Sequence, residues 1–119
     1  MDTLRIFLMA ALILVVFSST EVEAKEPEWH YTTWGDVESV AISADGEYIA
    51  AGSNADKVYL FDKDSSTPLW NYTTGHTVHS VSISADGEYI VAGTYDNGEA
   101  CKVYLFDKDS STPLWIYDA

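Results

Sequence analysis

The feature that most constrains the fold is a fourteen-residue sequence that occurs twice without a single change. KVYLFDKDSSTPLW stands at Lys57–Trp70 and again at Lys102–Trp115. A catalytic site is usually needed only once, so an exact duplication within 119 residues indicates architecture before chemistry. The residues around the two copies show how long the repeated unit is.

The duplication extends well beyond the identical stretch. Val37–Ser53 (VESVAISADGEYIAAGS) returns as Val78–Thr94 (VHSVSISADGEYIVAGT), and Trp29–Thr33 (WHYTT) returns as Trp70–Thr74 (WNYTT). The tryptophans that mark the repeat lie 41 and then 45 residues apart, and the difference falls in YDNGEAC (Tyr95–Cys101). A period in the low forties is typical of a four-stranded propeller blade and of some paired-helix repeats.

The spacing of apolar residues favours strands over helices. Val40, Ile42 and Ala44 alternate with smaller residues, which is the period-two pattern of a strand, and nothing after the first 24 residues shows helical spacing. Asp45-Gly46 then separates this run from the next, and Asp-Gly tolerates the positive φ angles of a tight hairpin turn. Asp86-Gly87 does the same in the second copy.

Each copy therefore predicts four antiparallel strands. EYIAAG forms the second strand, KVYLFD the third, and Pro68–Thr73 the fourth, with Pro68 at the strand start because it lacks an amide donor. KVYLFD is apolar on both faces, as expected for sheets stacked face to face. We predict an all-β chain with two four-stranded antiparallel propeller blades plus one extra strand at Trp29–Thr33, which together make a partial propeller.

These residues resemble the WD40-like and PQQ-like β-propeller repeats. SVAISADGEYIAAGS and KVYLFD are similar to the WD40 succession of a strand, an Asp-Gly turn, a strand ending in Gly-Ser and a third strand ending in Asp, and Gly75-His76 is similar to that family's Gly-His pair. FDKDSSTPLW is similar to the PQQ-like blade, in which a docking Trp follows an Asp after eight residues. The structural repeat residues that the resemblance implies are Asp45, Gly46, Asp62, Trp70, Asp86, Gly87, Asp107 and Trp115.

The chain also departs from the WD40 pattern. Phe61 and Phe106 stand where the family has Trp, and Trp34-Gly35-Asp36 stands where the second copy has Gly75-His76-Thr77. The hydrogen-bond relay that the family builds from His, Ser or Thr, Asp and Trp is therefore expected to be incomplete in both blades. No residues that hold a quinone can be carried over from the PQQ-like repeats, so we predict no cofactor.

The first residues have the composition of a secretory signal peptide. Arg5 precedes the apolar run Ile6–Phe17, and Val22-Glu23-Ala24 fits a small-x-small cleavage site. The run is twelve residues long, whereas a membrane-spanning helix needs roughly 20. We expect residues 1–24 to be removed and the protein to be secreted or extracytoplasmic, with membrane attachment only through an uncleaved leader.

The remaining sequence divides into a leading strand from a partial repeat at residues 25–36, a first blade at 37–77 and a second blade at 78–119.

The formal net charge is −13, and it is −11 without the leader. Such a balance excludes nucleic acid as a partner, because its phosphates would be repelled.

Two blades are fewer than a propeller needs. Propellers usually have roughly 4–8 blades, and a repeat buries its faces only against neighbouring repeats. Three explanations stay open: several identical chains close a ring, the chain is a piece of a longer propeller, or two blades pair with a different protein.

Few motifs carry chemistry. Asp62 and Asp64, and likewise Asp107 and Asp109, place oxygen atoms at alternate positions of a turn, which makes them weak Ca²⁺ ligands beside their ordinary turn-forming role. His76 and His79 lie three residues apart in a loop and strand entry, where their rings need not converge. We therefore predict no metal site and no enzyme.

One loop and two single residues are further candidates for recognition or modification. Asp96, Asn97 and Glu99 form an acidic loop where the two copies differ most, and loops on a rigid scaffold often carry recognition. Asn71 begins an Asn-Tyr-Thr glycosylation sequon. Cys101 is the single cysteine, so it is expected to be a small buried hydrophobe or the site of an intermolecular bridge.

We expect an exported, non-enzymatic repeat module for protein–protein or surface interaction and scaffolding, with a protein partner or self-association through exposed blade faces. The alternative is a fragment of a larger PQQ-like, quinoprotein-like propeller whose active residues lie elsewhere.

Overall fold

The structure is a computed structural model that describes residues 25–98 and 101–119. The expected leader at residues 1–24 and Glu99 lie outside the described residues. The described residues form eight strands: β1 (Val37–Ile42), β2 (Tyr48–Ser53), β3 (Lys57–Asp62), β4 (Trp70–Thr73), β5 (Val78–Ile83), β6 (Tyr89–Thr94), β7 (Lys102–Asp107) and β8 (Trp115–Asp118).

The strands form two four-stranded antiparallel sheets, β1-β2-β3-β4 and β5-β6-β7-β8, which are called blade 1 and blade 2 below. The two sheets repeat the same pairing, since Leu60 faces Trp70 in blade 1 and Leu105 faces Trp115 in blade 2. The first strand pair of each blade also carries the same register shift. The prediction of an all-β partial propeller with two four-stranded blades is confirmed. No helix within the described ranges is long and apolar enough to cross a membrane.

The Asp-Gly hairpin turns form as the sequence predicts. Gly46 has a φ of 74° and Gly87 a φ of 77°, which is the left-handed region that glycine adopts without steric cost. In the first turn the Gly46 amide donates to the Ser43 carbonyl at 2.9 Å. The Ser43 amide donates to the Tyr48 carbonyl at 3.0 Å and closes the hairpin. The turn therefore sets the register of β1 against β2.

The main core lies between the two blades. It contains Ala50, Val58 and Leu60 from blade 1, and the residues that blade 2 contributes are Val78, Val81, Ile90, Ala92, Tyr104 and Phe106. A smaller cluster of Ala51, Tyr59 and Phe61 occupies the opposite face of blade 1. β3 is thus apolar on both sides because each side packs against a different neighbour, as its sequence predicts.

The prediction of a ninth strand at Trp29–Thr33 is wrong, because no strand is assigned between Lys25 and Asp36. In each blade the fourth strand pairs with the third strand of its own sheet. Trp29–Thr33 has no such third strand beside it among the described residues, so its backbone forms no ladder. Its side chains nevertheless pack on blade 1.

Candidate functional site

The contact between the blades is built around Trp70 and Tyr72 of β4. The Trp70 indole Nε1 donates to the Lys108 carbonyl at 2.7 Å, and its ring centroid lies 5.0 Å from that of Phe106. The Tyr72 ring lies 5.6 Å from Tyr104 and 5.3 Å from Phe106. Burial raises the pKa of the Tyr104 phenol, whose hydroxyl donates to the Thr74 carbonyl. A Trp-x-Tyr sequence therefore docks one blade onto the next.

Three further contacts belong to the same interface. Tyr48 of blade 1 lies over Gly87, where an added Cβ would come within 2.3 Å of the tyrosine ring. Gly52 lies against Val78 with similar closeness, since its Cβ would come within 2.5 Å of a valine methyl group. Both glycines are therefore required by close approach of the two blades. The Lys108 ammonium lies 5.7 Å from the centre of the Tyr48 ring, within range of a cation–π contact.

The segment Trp29–Tyr31 repeats this docking on the other face of blade 1. Trp29 Nε1 donates to the Lys63 carbonyl at 2.6 Å, and the Trp29 ring lies 5.3 Å from Phe61. Tyr31 lies 5.5 Å from Tyr59 and 5.4 Å from Phe61. Interplanar angles agree as well, at 33° for Trp29 on Phe61 and 34° for Trp70 on Phe106. The segment thus occupies the place of a fourth strand from a preceding blade.

The third copy of the docking sequence, on β8, has no blade beside it in the structure. Trp115 is 48% exposed and Tyr117 is 62% exposed. Tyr89, at the position of Tyr48, is 48% exposed, and nothing lies within 4 Å of a Cβ added at Gly93. These residues belong to the open face of blade 2, which consists of Tyr89, Val91, Gly93, Val103, Leu105, Trp115 and Tyr117.

Blade 1 is only partly covered on its outer face. Trp29 and Tyr31 cover Tyr59 and Phe61, but Val37, Val40 and Ile42 of β1 stay between 50% and 66% exposed. The outer face of blade 1 consists of Val37, Val40, Ile42, Gly46, Ile49, Tyr59 and Phe61. The chain therefore presents apolar surface at both ends of its pair of blades.

The four aspartates considered as Ca²⁺ ligands serve as turn residues. Asp62 Oδ1 accepts from the Asp64 amide at 2.9 Å, and Asp107 Oδ1 accepts from the Asp109 amide at the same distance. Asp64 pairs with Lys63, and Asp109 pairs with Lys108. Within residues 25–98 and 101–119, no group of three or more His, Cys, Asp or Glu side chains could hold a metal ion.

Asp45 and Asp86 hold the hairpin turns. Asp45 Oδ1 accepts two hydrogen bonds, from the Ser43 hydroxyl at 2.5 Å and from the Glu47 amide at 3.0 Å. Both bonds lower the pKa of Asp45. The Glu88 amide and the Ser84 hydroxyl lower the pKa of Asp86 in the same way. Both carboxylates stabilise local backbone and lie at the loop edge opposite the acidic loop.

The acidic loop is tied to the connection between the blades. Asp96 Oδ2 lies 3.2 Å from His76 Nδ1, and Asn97 has a φ of 41° in the left-handed region. The His79 ring contacts Tyr95 edge-on at 5.6 Å. His76 therefore pairs with a carboxylate, and its ring and that of His79 engage different partners. Asp96 and Asn97 are exposed at the rim where contact with a partner is expected.

The His, Ser or Thr, Asp and Trp relay is not built in blade 1. Gly35 stands at the position of His76, and a Cβ there would lie 2.2 Å from Asn54 Oδ1. Ser53 Oγ is buried without a hydrogen-bond partner among the described residues. Asn54 instead closes this end of the blade, since its side chain accepts from the Asp36 amide at 2.8 Å.

The remaining candidates are placed on outer strands and loops. Asn71 is exposed on β4, where its Oδ1 accepts from the Lys57 ammonium at 3.4 Å, so the sequon is accessible. Cys101 is half-buried directly before β7, and its carbonyl accepts from the Ala119 amide. Glycosylation and the role of the thiol stay predictions.

One exposed surface residue was not predicted as a candidate from the sequence. Trp34 is 93% exposed on the same loop edge as Asp36 and Asp96, next to a turn in which Thr33 donates to the Gly35 carbonyl. The sequence did contain a sign of it, because Trp34 aligns with Gly75 in two copies that otherwise agree closely. The loop rim is defined here as Trp34, Asp36, Asp56, His76, Tyr95 and Asp96.

Comparisons with known proteins agree with this architecture. BamB from Moraxella catarrhalis is a similar solved structure, with a TM-score of 0.62 and 18% sequence identity over 75% of this chain. The match covers 26% of the BamB chain, so this chain spans about a quarter of that structure. No curated protein sequence matches significantly. The sequence model described as "WD domain, G-beta repeat" matches residues 25–62 and 66–98. The chain therefore belongs to the WD40 repeat family.

Proposed function

We propose that this chain is an exported, non-enzymatic interaction module that binds proteins through its blade faces and its loop rim. The observation that carries the proposal is the open face of blade 2. It bears Trp115 and Tyr117, copies of the pair that joins the blades, and both are about half exposed or more. Contiguous exposed apolar surface of this kind marks interaction sites in soluble proteins.

The loop rim supplies a second, chemically different contact surface. Trp34 is almost fully exposed two residues from Asp36, on the same loop edge as Asp96. Tryptophan is enriched at the energetic centres of interfaces. Acidic groups on this edge favour partners that carry basic side chains, because complementary charge speeds association and selects partners.

The displaced pKa values of two aspartates and three lysines have local structural causes. Hydrogen bonds in the hairpin turns lower the pKa of Asp45 and Asp86, and contacts with Asp64, Asp118 and Asp109 raise the pKa of Lys63, Lys102 and Lys108. Such shifts can mark catalytic groups, but these side chains lie in turns and strand pairs. Export is supported by the leader-like composition of residues 1–24.

The test is photocrosslinking of the full chain in the cells that make it. A photoreactive phenylalanine derivative replaces Tyr117 on the open face, Asp96 on the rim, or Ser66 in the opposite turn as a matched exposed control. We expect protein adducts from position 117 or 96 and none from 66. If neither 117 nor 96 yields a protein adduct, the proposed function is wrong.

The second candidate is a piece of a larger quinoprotein-like propeller. One observation favours it: the chain spans about a quarter of the solved propeller that it resembles. This alternative places the active residues outside the chain, so it predicts that the chain alone shows no cooperative thermal unfolding transition. A rise of several degrees in Tm on addition of a quinone cofactor or Ca²⁺ would instead contradict the non-enzymatic interaction module.

A further inference from the structure

The chain contains both halves of one interface at its two ends. Between its own blades, Trp70 and Tyr72 of blade 1 dock on Tyr104 and Phe106 of blade 2. The open face of blade 2 repeats the docking half of that interface, and the outer face of blade 1 repeats the receiving half. The internal contact therefore serves as a template for what could cover the two open surfaces.

The docking half on blade 2 is complete. Trp115 and Tyr117 stand at the positions of Trp70 and Tyr72, and the identical pairing with β7 gives them the same placement in the sheet. Gly93 corresponds to Gly52, which admits Val78 so closely that no side chain would fit. At Gly93 the same space is empty, so this face has the shape of a blade whose neighbour is absent.

The receiving half on blade 1 is also complete. Gly46 corresponds to Gly87 and has nothing within 4 Å of an added Cβ, whereas Gly87 is covered by Tyr48. Lys63 corresponds to Lys108, and its side chain is 42% exposed against 20% for Lys108. A neighbouring blade would therefore find a site for its Tyr89 beside Gly46 and Lys63.

The outer part of this receiving surface binds a Trp-x-Tyr sequence within the chain itself. Trp29 and Tyr31 lie on Phe61 and Tyr59 with nearly the same distances and angles as Trp70 and Tyr72 on blade 2. Unlike a fourth strand, the segment belongs to no sheet. The segment is held on blade 1 by two side chains and one indole hydrogen bond. In contrast, β8 is part of a four-stranded sheet that would dock as a unit.

We propose that a second copy of this chain docks the open face of its blade 2 onto the outer face of blade 1, with its Trp115 and Tyr117 taking the places of Trp29 and Tyr31. The proposal deepens the proposed function and rests on it. The occupant is a second copy because the surface continues an interface that the chain already forms between its own blades.

The contact is head-to-tail, so it generates a closed ring or an open filament. Each copy supplies two blades, and propellers contain roughly 4–8 blades, so closure takes about two to four copies. Like charge opposes association, because each chain is strongly acidic. Added salt should therefore strengthen association by screening this repulsion.

Trp29–Tyr31 acts as an internal competitor for the same surface. A binding surface that is free only part of the time shows a weakened apparent affinity. Removing the two aromatic side chains, as in the double variant Trp29→Ala/Tyr31→Ala, should lower the concentration at which association is half complete by roughly tenfold. His30 is exposed between them, so His30→Ala is the matched control.

The deciding experiment is light scattering of the full chain over a concentration series with a reductant, which removes any bridge through Cys101. The wild type should give a mass that rises with concentration to a small multiple of the protomer. Gly93→Val should stay monomeric with an unchanged unfolding midpoint, because an added Cβ meets no atom within 4 Å among the described residues but fills the place of a neighbour's valine. Gly93→Val in the Trp29→Ala/Tyr31→Ala background should be monomeric as well.

Three results would overturn the proposal: a monomeric wild type at all concentrations, association that Gly93→Val leaves unchanged, or a double variant that associates no more strongly than His30→Ala. Crosslinking from position 117 separates this failure from failure of the proposed function. An adduct with a different protein would retain the interaction module and reject the second copy as its occupant.

Discussion

Blade 1 and blade 2 contain the same fourteen residues in the same four-stranded sheet, yet these residues are buried to different extents. Leu60 is 0% exposed, whereas Leu105 at the equivalent position is only half-buried. Trp70 is half-buried on its neighbour, and Trp115 is 48% exposed. Identical strands thus end up with different energetics because burial is a property of the neighbouring blade.

On the opposite faces of the same strands, equivalent residues are buried to nearly the same extent. Phe61 is 4% exposed and Phe106 is 0% exposed, although different segments cover them. Trp29, from outside any sheet, covers Phe61, and Trp70 from β4 covers Phe106. A short Trp-x-Tyr segment therefore buries the phenylalanine of a receiving surface almost as well as a complete blade does, but it leaves Val40 66% exposed where the equivalent Val81 is 7% exposed.

The largest difference between the blades is expected from truncation of the paired leucines. Leu60→Ala should lower the free energy of unfolding by about 2–5 kcal/mol, because it leaves a cavity in the core between the blades. Leu105→Ala should lower it by about 1 kcal/mol or less, because its side chain already contacts solvent. Urea unfolding at low protein concentration measures both, with Gly93→Val as the background that prevents association. Equal costs would contradict the comparison.

The next largest difference between the blades is expected in the stability cost of replacing the hairpin glycines. Gly46→Ala should cost about 1–2 kcal/mol, the penalty of a left-handed φ for an alanine. Gly87→Ala has the same φ penalty, and its methyl group must also displace the Tyr48 ring, which adds roughly 1–3 kcal/mol of overpacking. Thermal unfolding of the two variants measures the difference. If they unfold together, Tyr48 does not lie over Gly87 in solution.

The docking tryptophans should give a smaller difference. Trp70→Phe removes the indole donor to the Lys108 carbonyl and should cost about 0.5–1.5 kcal/mol in addition to its lost ring area. Trp115→Phe breaks no hydrogen bond within the described residues, so the unfolding midpoint of the monomer should hardly move. Chemical unfolding reports the first effect. A comparable loss in both variants would indicate that Trp115 has a partner even in the monomer.

The smallest effect concerns the pKa of the turn carboxylates. Ser43→Ala should raise the pKa of Asp45 toward its ordinary value of 3.8, while the pKa of Asp86 stays lowered by the Glu88 amide and Ser84. A carboxyl whose pKa is lowered on folding stabilises the fold above its unfolded pKa and loses that contribution as pH falls through the folded pKa. The variant should therefore lose less stability than the wild type on acidification below about pH 4. Carboxyl NMR titration of both aspartates measures this, with Asp86 as the internal control.

Much of the fold could be predicted because its signals are local. Alternation of apolar residues placed the strands, and Asp45-Gly46 and Asp86-Gly87 placed the hairpins, since a tight turn needs residues that accept positive φ. The role of Trp70 also followed from its spacing after Asp62 in a known repeat pattern. Local sequence carried this information because strands and turns depend on neighbouring residues.

Other features depended on contacts between distant residues. The Ser39 hydroxyl accepts from the Val81 amide across the blade interface, and His76 pairs with Asp96 from another loop. Nothing in the sequence near these residues identifies the partner. Trp29–Thr33 was expected to be a strand because it copies β4, but strand pairing needs a third strand beside it, and composition does not show whether one is present.

Residue order alone was enough to establish the repeat, its strands and its turns, because these depend on spacing along the chain. The docking role of Trp70 came from the resemblance to propeller repeats. Which copy of each residue is buried was settled only by tertiary structure. Leu60 and Leu105 have the same neighbours in sequence and different neighbours in space, and apolar burial follows the area removed from water. The exposed apolar surfaces arise from that difference, since the copy without a neighbouring blade in the structure is the one whose aromatic residues stay exposed.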